Sequence, residues 1–432
     1  MNFLGNGKFI GSTFLLLVFA CTANAQTAAE LRESGKLEQQ ARADYRTKDY
    51  AKFLENIKRA GDLRPNHARL LYNLAVAYAL NNKPDESLAG LERLAAMGLF
   101  FAVEKDEDFK SLFDLPRFKT LQNKFAANQK AVNRAVKAFS IAEKDLLTEG
   151  IAYDAATRRF FVSSLYKRKI VVTDAQGKTS DFSLPEDGLW SVSGMRVDDK
   201  RRVLWVTTTA QALVPGFQKE DEGKAGVFKY DLKSGKLLKK YILPNDGNNH
   251  VLGDLVIAKN GDVYASDSLT PKIYRIGAER DALEIFLSGD DFASLQGLAF
   301  STDEKYLFAA DYSKGVFRIE TRTKKVSQLS MDAGTNPIGI DGLYFYGGNL
   351  IVVQNGFRPF RVARFVLNKD LSAVLESETL EANHTDMEEP TLGVIVGKDF
   401  YFIANSQQSL LGKEGLAPVD KLKEPVILRL KL

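Results

Sequence analysis

Residues 296–312 read QGLAFSTDEKYLFAADY, and this stretch decides the fold. It opens on Gln296-Gly297, continues as the apolar run Leu298-Ala299-Phe300, and turns through polar Ser301 to Lys305. It then returns as Tyr306–Ala310 and ends in polar Asp311-Tyr312. Two short apolar runs around a polar turn read as paired β-strands. The opening recurs along the chain: Glu149-Gly150-Ile151, Ser193-Gly194-Met195, Gly253-Asp254-Leu255, Asp341-Gly342-Leu343 and Thr391-Leu392-Gly393. The spacing, roughly 45 to 60 residues, suits four short strands per unit, and six units fill residues 140–432. Six four-stranded units around an axis make a β-propeller, whereas a sandwich needs no such repeat. Apolar Pro425–Leu430 is expected to complete the last blade.

Upstream the period changes. From about residue 28 to 135 apolar residues recur at helical spacing, as in Leu71, Leu74, Ala75 and Tyr78. A shift of 34 residues aligns Leu37 with Leu71, Ala41 with Ala75, Leu54 with Leu88, Ile57 with Leu91 and Ala60 with Leu94. That period resembles tetratricopeptide repeats, which offer a concave surface to a peptide or protein; the alternative is that this short array packs against the next domain. The expected chain is therefore mainly β: a six-bladed β-propeller over 137–432 behind an α-helical tetratricopeptide-like domain over 26–136.

Residues 1–25 carry Lys8, a short apolar run from Phe9 to Ala20 and a small-x-small end at Ala23-Asn24-Ala25. This reads as an export signal, so the expected location is periplasmic or extracellular. Acylation at Cys21 is the minor alternative. No later stretch approaches a membrane span. Composition excludes several chemistries. One Cys removes internal disulfides and cysteine-held zinc, and three His (His67, His250, His384) argue against a multi-His zinc site. A net charge of +4 from 59 basic and 55 acidic residues offers no case for a nucleic-acid partner. Neither a Gly-x-Ser-x-Gly elbow nor a nucleotide fingerprint occurs.

The openings at Glu149-Gly150, Gln296–Phe300 and Asp341-Gly342-Leu343, with the strand ends Ala265–Ser268 and Ala309–Ser313, resemble the gluconolactonase/regucalcin (senescence marker protein) family over essentially all of residues 145–410. The resemblance implies a six-bladed propeller with one divalent cation (Ca, Mn or Zn) at the channel mouth, activating a lactone or related ester. It implies Glu149 and Asp341 as ligands, although Ile340 replaces the family's Pro before Asp341. Gln296 stands for an Asn as a third ligand, and Gly253 for another Asn, so one ligand is lost. Water or Asp254 is expected to fill that gap.

The residues make their own case for one functional face. Inner-strand starts and second-strand ends share one mouth, and the second strands end in polar pairs such as Asp267-Ser268 and Asp311-Tyr312. Asp254, Asp267 and Asp311 are the candidate bases. His250 and His384 enter inner strands on the same side and are further base candidates, against the plainer reading of solvated loop His. For the polar ends the plainer reading is turn capping. One arginine of Arg358-Pro359-Phe360-Arg361 is placed to meet an anionic substrate, or else lies in a surface loop. Two functions follow: a metal-dependent lactonase- or esterase-type hydrolase acting on a small molecule at the mouth, or a non-catalytic propeller binding a ligand or protein with the helical repeats as a second docking surface.

Overall fold

The computed structural model describes residues 27–174 and 176–432. The export signal and Cys21 lie outside the described residues. No helix among the described residues is long and apolar enough to cross a membrane.

Among the described residues five α-helices come first: α1 (Ala28–Arg46), α2 (Tyr50–Leu63), α3 (Ala68–Leu80), α4 (Pro84–Ala96) and α5 (Pro116–Asn128). Their starts are written in local chemistry. Thr27 and Glu30 form a capping box on α1, Asp49 caps α2, and Pro84 and Pro116 open α4 and α5. The residues paired by the 34-residue shift all join the helical core, with Ala41, Ala60, Ala75, Leu91 and Leu94 fully buried. Small residues there let backbones close up: a Cβ on Gly90 of α4 would stand 3.3 Å from the Ala75 Cβ of α3.

α3 is capped by a histidine. His67 Nδ1 accepts from Leu70 N at 3.4 Å. Burial, and then the charge of Arg64, lower its pKa from 6.5 to about 4; Arg69 adds to this and Glu38 opposes it. The folded state thus keeps His67 neutral where the unfolded chain takes up a proton. Stability drawn from this site is complete above pH 6.5 and falls as pH drops toward 4. His67→Asn keeps the cap without the titration. In thermal unfolding at pH 7 and pH 4.5, the variant is expected to lose less stability than the parent on acidification. Equal losses would refute this.

The propeller has six blades of four antiparallel strands. Blades 1 to 4 span Ile151–Asp181, Ser191–Ile242, Leu252–Ser288 and Leu295–Gln328, each in simple up-and-down order. Blade 5 spans Ile340–Ala382 and gains the short parallel strand Ser330–Met331 at its edge. Blade 6 is closed from both ends of the domain. Its strands are Gly393–Val396, Asp399–Ile403, Val426–Lys431 and, outermost, Val136–Ser140. The C-terminal segment supplies only the third strand, and the first strand of the propeller sequence completes the sheet. The ring therefore has no open seam.

The helical region sits on the mouth side of blades 4 and 5. Phe357 of blade 5 packs into the helical core, Phe100 N donates to Arg358 O at 3.0 Å, and Arg361 Nη1 donates to Met97 O at 3.2 Å. Arg361 is only 4% exposed, and its Nε donates to Gln354 Oε1 at 2.7 Å. Of the two arginines in the Arg358–Arg361 stretch, Arg361 is thus a joint between domains, while Arg358 is exposed.

Candidate functional site

The site residues come from a backbone irregularity repeated at the mouth end of the inner strands. Register breaks between Val192 and Met195, Leu252 and Leu255, Leu295 and Leu298, and Ile340 and Gly342. Such bulges release a residue from strict in–out alternation and re-aim its side chain. The released positions include Asp254, Gln296 and Asp341, and Glu149 occupies the matching place before the inner strand of blade 1. The bulges are pinned from the second strands. Gly150 N donates to Ser163 Oγ at 2.7 Å, Gly194 N to Thr207 Oγ1 at 2.8 Å and Asp254 N to Ser266 Oγ at 3.3 Å. The polar ends of these strands thus serve the backbone.

Glu149 from blade 1 and Asp341 from blade 5 act on each other across the mouth. Burial, and next the charge of Asp341, hold the Glu149 carboxyl well above the usual carboxylate range; Glu389 and Asp254 add to this. Burial pushes Asp341 up to about 7, against a hydrogen bond from Asn355 Nδ2 to Oδ2 at 2.8 Å. Asn355 is itself fixed, donating to Pro390 O at 2.9 Å and accepting from the Tyr312 hydroxyl at 3.0 Å. Gln408 Nε2 donates to Glu149 Oε2.

Gln296 and Gly253 are complementary. A Cβ at residue 253 would lie 3.1 Å from Gln296 Oε1, so the longer glutamine takes the room left by the missing side chain. Asp254 is completely buried. Its Oδ2 accepts from Arg196 Nη2 at 2.9 Å, while Oδ1 has no hydrogen-bond partner among the described residues. Arg196 in turn lies 5.5 Å from the centre of the Tyr344 ring. This layer carries its own counter-charge.

The other candidates do not join the pair. Asp267 Oδ1 accepts from the amides of Val251, Leu269 and Thr270, all at 3.1 Å. Asp311 accepts from Ala293, Ser294, Ser313 and Lys314 at 2.6 to 3.1 Å. Both are turn clamps in geometry. His250 is 3% exposed, with Nδ1 2.6 Å from Asp267 Oδ2 and Nε2 3.0 Å from Asp246 Oδ1, so both ring nitrogens are engaged. His384 Nδ1 accepts from Asp386 N at 3.1 Å in the turn leading to blade 6. None of the four shares a hydrogen bond or ion pair with Glu149 or Asp341.

Among the described residues, no three His, Cys, Asp or Glu side chains gather as a ready ligand set. What gathers is two carboxylates whose charges oppose each other, with amide oxygens around the mouth and the Arg196 guanidinium already taken by Asp254. An all-oxygen set with uncompensated negative charge fits a hard divalent cation.

Residues 147–350 match the family model described as SMP-30/Gluconolactonase/LRE-like region. Among solved structures, the chain is similar to a gluconolactonase from Xanthomonas campestris (15% identity, 71% of this chain and 93% of that one, TM-score 0.47). It is similar also to a calcium-binding regucalcin from Agrobacterium tumefaciens (16%, 69% and 93%, 0.48). A third is a PQQ-bound aldose sugar dehydrogenase from Streptomyces coelicolor (14%, 70% and 98%, 0.48). At these values the likenesses carry no inference about chemistry. No curated protein matches the chain. From blade 1 into blade 5, the propeller is similar to the SMP-30/Gluconolactonase/LRE-like region.

Proposed function

We propose that the propeller is a divalent-cation-dependent hydrolase of a lactone or related ester, acting at the channel mouth. The observation that carries this reading is the opposed pair Glu149 and Asp341, delivered from two blades into a buried, oxygen-rich mouth. Glu149 and Asp341 would hold the cation, Ca²⁺, Mn²⁺ or Zn²⁺, with Gln296 Oε1 as a neutral third donor. Such a cation polarises the ester carbonyl when bound. Asn355 orients the Asp341 carboxylate through Oδ2. Asp254 lies too deep to meet a substrate and holds Arg196 in place. Asp267, Asp311, His250 and His384 support the mouth loops. Calorimetric titration of chelator-treated protein with each cation, followed by a lactone and ester screen, tests the reading. Failure to bind any of the three at millimolar concentration would defeat it. The export reading of residues 1–25 supports a periplasmic or extracellular location for this activity.

One observation favours the non-catalytic alternative. A groove of about 520 Å³ on the helical region is lined by Gln39, Arg42, Tyr45, Phe53, Tyr72 and Val76. It suits a peptide or protein partner, with the propeller mouth as a ligand site.

A further inference from the structure

On the mouth face, the connection between the second and third strands of blade 6, residues 404–425, is the longest of its kind in the six blades. It folds on itself, pairing Leu411–Gly412 with Gly415–Leu416. Its base is tied down: Gln407 Nε2 donates to Lys423 O at 2.9 Å, Lys423 N to Gln407 Oε1 at 2.7 Å, and Asn405 Nδ2 to Glu424 O at 3.0 Å. Its tip, Lys413-Glu414, is exposed. Between base and tip, two adjacent residues reach the mouth acids. Gln408 Nε2 donates to Glu149 Oε2, and Ser409 donates to Glu389 Oε2 through N and Oγ, both at 3.3 Å.

An amide N–H is a donor and cannot ligate a cation. The Glu149 lone pair it occupies is withdrawn from any ion in the mouth. We propose that Gln408 sets the cation affinity of the mouth by competing for Glu149, from a hairpin that lifts when a divalent cation binds. This rests on the reading of Glu149 and Asp341 as the cation site. The linkage is simple: a cation that needs Glu149 free favours the lifted hairpin, and the Gln408 contact lowers apparent affinity by the work of breaking it.

Gln408→Met keeps the length of the side chain and removes the donor. Chelator-treated parent and variant are titrated with Ca²⁺ and Mn²⁺ by calorimetry. A hydrogen bond to a charged group is strong enough that about tenfold tighter binding is expected in the variant. A second readout is tryptic cleavage after Lys413. In the parent it is expected to be faster with Ca²⁺ than with chelator; in Gln408→Met it is expected to be fast in both. Matching thermal midpoints show that the variant is folded. If both proteins bind with equal affinity, the mouth site stands and this proposal falls. Weaker binding in the variant would mean that Gln408 ligates through its oxygen, which overturns competition. If neither protein binds, the cation reading of the mouth fails, and the proposal with it.

Discussion

Gly297→Ala is expected to destabilise the propeller by about 4 kcal/mol or more, a fall of about 6 °C or more in thermal midpoint for a domain of this size. A Cβ on Gly297 would lie 2.4 Å from Leu343 N and 2.8 Å from Asp341 O. These are backbone atoms of the next inner strand, held by its ladder to Asn349–Gln354, so the clash is not relieved by a side-chain rotation. The blades meet most tightly where their inner strands open around the axis, which is why glycine recurs there. Gly253→Ala is the control. Its Cβ meets the end of a flexible side chain, Gln296 Oε1, at 3.1 Å, and no backbone atom within 4 Å. That variant is expected to fold with a midpoint within a few degrees of the parent. Equal losses from the two substitutions, read by calorimetric unfolding, would show that axial backbone contact is not the reason for the motif.

The double substitution Glu149→Gln with Asp341→Asn is expected to weaken divalent-cation binding at least about a hundredfold, because ligand charge count dominates the affinity of an oxygen site. Stability moves the other way. Both carboxyls are raised above their ordinary range, chiefly by burial and, at Glu149, next by the charge of Asp341. Ionising them in the fold costs more than in the unfolded chain; for Asp341 this cost grows as pH rises from about 4 to about 7, and for Glu149 it grows in the same direction. In chelator at pH 8 the neutral pair is therefore expected to unfold at a higher temperature than the parent. Unchanged cation affinity would remove Glu149 and Asp341 from the site. Lost affinity with lost stability would mean that the substitutions act by damaging the mouth.

Much of the architecture was legible in one dimension because it follows from local chemistry. The strand–turn–strand unit at 296–312, its five recurrences and the 34-residue helical shift are patterns of burial with periods near 2 and 3.6, and the elements follow them. Glu149 and Asp341 were proposed from the family resemblance; each also sits beside a glycine at the opening of an inner strand. Asp267 and Asp311 carried the same apparent signal for another cause. A carboxylate at a strand end reads alike whether it faces a substrate or gathers backbone amides, and only the folded turn separates the two.

Sequence alone determined the propeller and the helical hairpins before it, since each rests on contacts or periodicities repeated within a blade or a hairpin. Tertiary structure alone decided who surrounds those acids and how the ring closes. Gln408 meets Glu149 across 259 residues of chain, Arg361 meets Met97 across 264, and Val136–Ser140 pairs with the last strand of the chain. Such partners share no local pattern. They are brought together by closing a circle of blades, a step that joins the ends of the sequence and is encoded in the summed packing of all six.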